Sequence, residues 1–596
     1  MEYIIIITMI YIISSIIAIK LQKRIEETTP IAVVGIILVV YIFGLFNNLT
    51  LGVIFLKLST IILLIYFIKL IIKNIKNKKG KETIKQILTP GVLIYVLLVI
   101  LFIIENQNRI FEMYDTFNHW GLTVKNMCLY NDYGTTGNII QFNEYPPFTG
   151  TFQYILVNLS GEYSESTIIT AQCILYLSMI MPIFKNIRWD KSLAKSIIII
   201  PMVICLPLIF YDNFYTEILI DGFIGVLLAL SMYQVYKKDK ILLTTYLIAL
   251  TLTKNIGILL TIMVLIVDTI MQITSKSELG KEKTKKELKK IGITAIIILI
   301  ICGSWYTKIT IDHSNLNWGE IGKESYTTEE KIQIIQQFTN ELKNGTKKIT
   351  EKGLSVLTCF AIYLSLAILI YNKDKNKDKL KIQIAMAVIM IIYIISMLYP
   401  YILLFNKEEA RMLASFSRYM SSILLSGFFL NMLIAFEKIK KEYIIYVITI
   451  LMLFLPFESI QHKYIYIDNY NDMARYKREK YGQIKNFVSI LKENDKIYLV
   501  ADKIFDKYYV TELTEYEIIP AKLGNPEYTA TPDNIIEQLK NEYTYIYVLN
   551  ENEQFSEKTK VEFGQDICEQ QNAMYKIIKQ GDKIKLERIY LRDILK

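Results

Sequence analysis

Asp115 and His119 stand four residues apart in the stretch "MYDTFNHWGLTVKNM", with Glu112 three residues ahead and Trp120 directly after. In a helix, Glu112, Asp115 and His119 fall at i, i+3 and i+7, on one face. A carboxylate and an imidazole so placed can take a proton from a hydroxyl or hold a divalent cation, Mg or Mn, between them. The plainer reading is an interfacial helix whose Trp120 sits in an aromatic belt and whose acids are solvated.

Four further groups carry chemistry. In "NEYPPFTGTFQY", Glu144 and Tyr145 precede Pro146 and Pro147, which hold the chain extended before an apolar run resumes at Phe148. "YDNFYTEILIDGFIGVLLAL" places Asp212, Glu217 and Asp221 at one end of an apolar run, with Asp221 already inside it. A carboxylate within a membrane span faces a cavity or a partner. "LTLTKNIGILLT" carries Lys254 between two short apolar segments, and "EEARMLASFSRYM" carries Arg411 and Arg418. Ammonium and guanidinium groups suit a phosphate, the Arg fork doing so with fixed geometry. The plainer readings are a turn lysine, headgroup contacts and snorkelling acids.

The elements that must position these groups are apolar. The chain has 596 residues, 53% hydrophobic and 12% aromatic, and runs of span length recur from Met1 to about residue 460 before a charged tail, 461–596. This predicts an α-helical polytopic membrane protein with about fourteen spans. They lie near 2–20, 31–47, 51–72, 87–104, 166–184, 195–211, 216–236, 241–253, 256–271, 290–306, 353–371, 381–402, 419–437 and 443–459. Glu2 and the lack of a small-residue cleavage site make the first run a retained span. The six cysteines are scattered without CxxC spacing, which argues against a zinc knuckle or disulfide framework. The net charge of +10 comes from lysines in short loops, so membrane topology accounts for it and nucleic acid is not an expected partner.

If "KNIKNKKGKETIK", "KNIRWDKSLAK", "KKDK", "SKSELGKEKTKKELKK", "NKDKNKDK" and "EKIKK" all face the cytoplasm, the N-terminus and the tail lie outside. The same parity forces residues 241–271 to cross twice, with a break near Thr253-Lys254-Asn255. Short broken spans line cavities rather than lipid. The outer loops are then 105–165 and 307–352. In the tail, "KIYLV" and "YTYIYVL" predict strands. "YGQIKNFVSILKEN" and "PDNIIEQLKNE" predict amphipathic helices, the latter capped at Thr531-Pro532-Asp533. A small extracytoplasmic α/β domain is expected. All five polar groups project to the same outer side.

In order, "YDTFNHW", "EYPPFTGTFQY", "YTEILIDGFIGVLLALSMY", "LTLTKNIGILL", "SWYTKIT" and "SRYMSSIL" resemble the landmarks of the GT-C superfamily of membrane glycosyltransferases. The protein-mannosyltransferase and aminoarabinose-transferase-like bacterial branch is nearest in pattern. The resemblance covers roughly residues 87–436. It implies a GT-C-like catalytic domain over 87–460, with 1–86 as additional N-terminal spans. The implied activity moves a sugar from a polyprenyl-phosphate donor to an envelope glycan, lipid or protein acceptor on the outer face of the plasma membrane. It assigns Asp115 the role of the family's loop acid, as base or acceptor-positioning group. Pro146 and Pro147 stand for its proline pair, Lys254 for its basic residue before a Gly-bearing span, and Arg418-Tyr419 for its late Arg-Tyr pair. Thr116 stands where the family often has a second acid, and Tyr145 where it often has a His. His119, Glu144, Tyr145, Glu217, Asp221, Lys254, Arg411 and Arg418 are the expected substrate-binding residues.

Two other classes fit parts of the pattern. A transporter or flippase of lipid-linked saccharide needs acids along a through-path, whereas here the polar residues gather at one face. A non-catalytic cell-envelope assembly scaffold would use the tail alone.

Overall fold

The computed structural model describes residues 1–135, 140, 142–189, 199–274, 280–312, 326–345, 347, 349–350, 353–437, 454–465, 467–502, 504, 506–526, 528–564, 566–581 and 583–594. The expected run 443–459 lies largely outside these residues, as do the start of 195–211 and much of the loop 307–352.

The chain divides into two compact units. The first comprises Met1–Arg109, Asn126–Thr136 and Phe142–Tyr466; the second comprises Ile110–Lys125, Gly137–Gln141 and Ile467–Lys596.

The first unit is a helical membrane protein. Among the described residues, ten helices are long and apolar enough to cross a bilayer, from Glu2–Leu21 to Phe416–Phe436. They differ in what they touch. Glu165–Asn186 and Phe416–Phe436 are buried over 94% of their most apolar windows, whereas Leu49–Lys76 and Lys281–Ile311 are buried over only 28% and 22%. The outer helices turn Ile61, Ile62, Ile296, Leu299 and Ile300 outward, a density of exposed aliphatics that a lipid surround accommodates and water does not. The helices Asp221–Lys237 and Phe416–Phe436 pack most extensively of all.

That packing needs a glycine. A Cβ on Gly225 would stand 2.4 Å from the carbonyl oxygen of Ser422, a backbone atom with no side-chain freedom to yield. Gly225→Ala therefore wedges the two central helices apart and costs about 1–3 kcal/mol. Thermal unfolding in detergent checks this, with Gly292→Ala, which meets nothing within 4 Å, as the control that stays near wild type.

Two boundaries matter for the site. The apolar stretch after Lys240 breaks where parity put the break: one helix runs Lys240–Thr251 and the next Asn255–Thr274. The turn is tight, since a Cβ on Gly257 would lie 1.9 Å from the carbonyl of Leu250. The second segment continues one turn past the expected end and reaches 20 residues. The helix expected over 216–236 instead starts at Asp221. Its acid thus opens the first turn, where the helix dipole favours a negative charge, rather than lying within the span.

The second unit carries a five-stranded sheet in the order β2-β1-β3-β4-β5. Here β1 is Lys496–Val500, β2 Lys522–Leu523, β3 Tyr545–Val548, β4 Ala573–Gln580 and β5 Lys583–Ile589. β1 pairs parallel with β2 and β3, and β4 runs antiparallel to both β3 and β5. Tyr498, Val500, Ile546, Val548, Leu539, Phe555, Ile577 and Leu586 share its core. Two of these strands were expected; the other three were not. β4 and β5 meet around Gly581 at φ 61°, a conformation glycine adopts without strain. "YGQIKNFVSILKEN" forms a tighter 3-10 turn, Gln483–Ile490, rather than an α-helix. The helix expected from "PDNIIEQLKNE", Ile535–Glu542, is preceded by Asn534 and not by the expected Thr-Pro-Asp cap.

Candidate functional site

In the first unit the site begins with the proline pair. The residues ahead of it turn rather than run extended, the Tyr145 amide donating to the Phe142 carbonyl at 3.1 Å, and after Pro147 the chain opens the helix Phe148–Ser160. The Phe148 amide donates to the carbonyl of Leu252 at 2.8 Å, tying this corner to the break between the two short segments. Lys254, three residues into that break's far side from Thr251, is 8% exposed. Its ammonium lies 5.5 Å from the ring centres of both Tyr145 and Tyr419, a cation between two aromatic faces.

Asp221 joins the cations. Its Oδ1 accepts from Lys254 Nζ at 3.0 Å and its Oδ2 pairs with Arg418 Nε at 3.1 Å. Arg418 also lies over the Tyr419 ring at 5.6 Å. The backbone is pinned on both sides: the Ser422 hydroxyl donates to the Asp221 carbonyl at 2.6 Å, and the Tyr211 hydroxyl to the Arg418 carbonyl. One carboxylate thus bridges two cations at the buried start of a central helix.

Glu144 adjoins this cluster in sequence and is 1% exposed. Trp305 Nε1 donates to its carbonyl at 2.9 Å, while its Oε2 has no hydrogen-bond partner among the described residues. Burial pushes its carboxyl up to about 7. A raised acid holds its proton more tightly in the folded protein, so stability is greatest below the ordinary value of 4.5 and falls as pH rises to about 7. Glu144→Gln keeps the shape without the ionisation. It stabilises the protein by about 3 kcal/mol at pH 8 and by less than about 1 at pH 5. Melting midpoints of variant and wild type across pH read this out, and a difference independent of pH removes the ionisation from the account.

The remaining expected residues separate. Glu217 is buried in the segment before Asp221, at 2% exposure. Arg411 is not in the cluster: its side chain is 60% exposed and pairs with Glu330 at 3.1 Å, as Lys407 does. Asp212 pairs with Lys463 at 2.5 Å.

Asp115 and His119 belong to the second unit. The regular helix expected across Glu112, Asp115 and His119 is replaced by a wide π turn, Thr116–Trp120, leading into Gly121–Tyr130, and Glu112 precedes any helix. The i, i+3, i+7 face therefore does not form. His119 is 4% exposed and meets Trp120 edge-on at 4.2 Å between ring centres. Asp115 is half-buried. Residues around it come from the tail: Tyr114 meets Tyr508 edge-on at 5.1 Å, and Asn118 Nδ2 donates to the Tyr508 hydroxyl at 3.4 Å. Phe117 packs on Tyr509 and Tyr516, and Arg478 covers Phe117 while pairing with Glu517 at 3.0 Å. Burial first, then the charges of Glu515 and Asp115, push the Glu512 carboxyl up to about 8; burial lifts Glu515 to about 7. Among the described residues no group of three or more His, Cys, Asp or Glu side chains could hold a metal ion.

Tyr508, Glu512, Glu515 and Arg478 were not foreseen, because nothing in the local pattern of a loop shows which distant helix it packs against. Ser422 and Trp305 were missed for the same reason. No family model, curated protein or solved structure matches the chain. The chemistry of its sites rests on its own residues.

Proposed function

We propose that this protein is an integral-membrane glycosyltransferase of GT-C type, moving a sugar from a polyprenyl-phosphate donor to an acceptor at the outer face of the plasma membrane. The observation that carries this reading is the cluster in which Asp221 bridges Lys254 and Arg418. Residues singled out for phosphate chemistry, far apart in sequence, converge on one buried ionic group.

In this reading the acceptor oxygen attacks C1 of the sugar. The C1–O bond to phosphate breaks and the electron pair leaves with the polyprenyl phosphate. Lys254 and Arg418 offset the charge that develops there, and Asp221 holds both cations in place between turnovers. Asp115 takes the acceptor proton, the role the resemblance assigns it. A single displacement inverts the anomeric centre. In this reading the N-terminus and the tail are extracytoplasmic.

Purified protein in liposomes with radiolabelled prenyl-phosphate sugars tests the reading. Label transferred into a new glycosidic bond, dependent on Lys254, supports it. Protein-dependent movement of intact lipid-linked sugar across the bilayer, with no new bond formed, assigns the cluster to a flippase instead.

A further inference from the structure

A second polar region lies at the other end of the same central helices. Asp221–Lys237 has the ionic cluster at its start and lysines at its close, and at 1.5 Å per residue the two ends are about 25 Å apart, close to the thickness of a bilayer core. Here a cavity of about 710 Å³ opens between the turn at 237–240, the loop carrying Lys23 and the helix Lys281–Ile311. That volume is within the range of sites that hold an organic ligand.

The walls are of two kinds. Lys23, Lys237, Lys238, Lys240 and Lys290 line the mouth against a single lining acid, Asp239. Four of these lysines have an acid partner: Lys23 pairs with Asp239, Lys237 with Glu437, Lys240 with the buried Asp268, and Lys290 with Glu287. Lys238 has no acid partner among the described residues, so the group carries an excess of one positive charge. Below the lysines, Thr244 and Thr294 share a hydrogen bond at 2.8 Å, and the wall then becomes isoleucine. Ile293 and Ile297 line the cavity, and Ile300, at the next position of the same helical stripe, is 64% exposed. The apolar wall therefore continues out of the cavity onto the flank of one of the least buried membrane helices.

We infer that this cavity is a binding site for an anionic glycerophospholipid of the surrounding bilayer. The phosphodiester sits among Lys237, Lys238 and Lys290, and one acyl chain lies along Ile293, Ile297 and Ile300. One negative charge matches the excess cation, and the isoleucine track needs a chain that a soluble anion does not bring. A zwitterionic headgroup places its own cation among the lysines and is disfavoured. The site is independent of the transferase reading.

Full-length protein, stripped of lipid in neutral detergent, is titrated with labelled phosphatidylglycerol and phosphatidylcholine and bound lipid counted by native mass spectrometry. Wild type prefers phosphatidylglycerol by about tenfold, the order expected for one or two lysine contacts to an anionic lipid. Lys238→Glu with Lys290→Glu erases the preference, and the milder Lys238→Gln reduces it should the double variant not fold. Ile293→Asn weakens binding of phosphatidylglycerol while leaving inorganic phosphate without effect. Equal binding of the two lipids by wild type overturns the site, as does a preference surviving in the folded lysine variants. Displacement of the lipid by millimolar inorganic phosphate or glycerol 3-phosphate identifies a soluble anion as the occupant and overturns the lipid assignment.

Discussion

Asp221→Asn destabilises the membrane unit by about 3–5 kcal/mol, whereas Lys254→Met leaves it within about 1 kcal/mol of wild type and lowers the proposed transfer about 10²–10³-fold. The difference follows from charge. Removing the carboxylate of Asp221 leaves Lys254 and Arg418 buried together without the group that bridges them. Two like charges in a poor dielectric cost far more than the lost contacts, and Asn fills the same space, so no cavity contributes. Removing Lys254 leaves the pair Asp221–Arg418, which is neutral, and Met occupies the slot between the Tyr145 and Tyr419 rings. The Arg418 side chain is 22% exposed, so water moderates the penalty and the lower half of the range is expected. Activity follows a different order: losing one preorganised cation at a departing phosphate costs about 10²–10³ in kcat. The double variant should be more stable than Asp221→Asn alone, because one of the two stranded cations is gone. Equal stability of the two single variants would show that Asp221 does not hold the cations. Full transfer by Lys254→Met would take the cluster out of the reaction.

Why this cluster was partly legible is a matter of what each signal depends on. The break at 252–254 followed from loop charge alone, because lysines on both flanks must share a side and the stretch between them must cross twice. Lys254 stood out as a cation at the break between two short apolar segments, and Arg418 as a guanidinium just outside a span. Asp221 stood out too, but its pairing with them did not, since pairing is a tertiary fact. Asp221 looked like an acid within a span, and its place at the first turn of the helix became visible only once the preceding loop was seen to continue through Ile220. Arg411 has the same chemistry as Arg418 and lies seven residues away, yet Glu330, from a separate helix, holds it at the surface. In the tail, β1 and β3 announced themselves as unbroken β-branched and aromatic runs. β4 and β5 mix charged residues (Lys576, Lys579, Lys583, Lys585, Glu587 and Arg588) among their apolar ones, so their apolar content is diluted, and the hairpin rests on one glycine. The largest surprise is the assignment of Ile110–Lys125 to the same compact unit as the tail, a contact no sequence window of local length contains.

That assignment sharpens the second large expectation: Asp115→Asn lowers transfer about 10²–10⁴-fold, the range for losing a positioned general base, with the KM for the lipid donor little changed. The reason to single out Asp115 lies in its neighbours. Burial, with the charges of Glu515 and Asp115, holds Glu512 up at about 8, and burial alone holds Glu515 up at about 7, so near neutral pH Glu512 is mostly protonated and Glu515 about half so. Neither offers a full negative charge to an acceptor hydroxyl. Tyr508 and Asn118 hydrogen-bond to Glu512, which fixes the helix Lys507–Ile518 against the Asp115 turn. Asp115 contributes to the elevation of Glu512, so Asp115→Asn should also lower the Glu512 value, and this provides a readout independent of turnover. Because a raised acid is stabilising in its protonated form, the wild-type protein loses stability as pH rises from about 4.5 to about 8, and Asp115→Asn shifts the upper edge of that window downward. Transfer and melting are then measured across pH on the same preparations. A shifted stability window with undiminished transfer identifies Asp115 as an electrostatic neighbour of Glu512 and nothing more. Lost transfer with the full chain folded keeps it as the base.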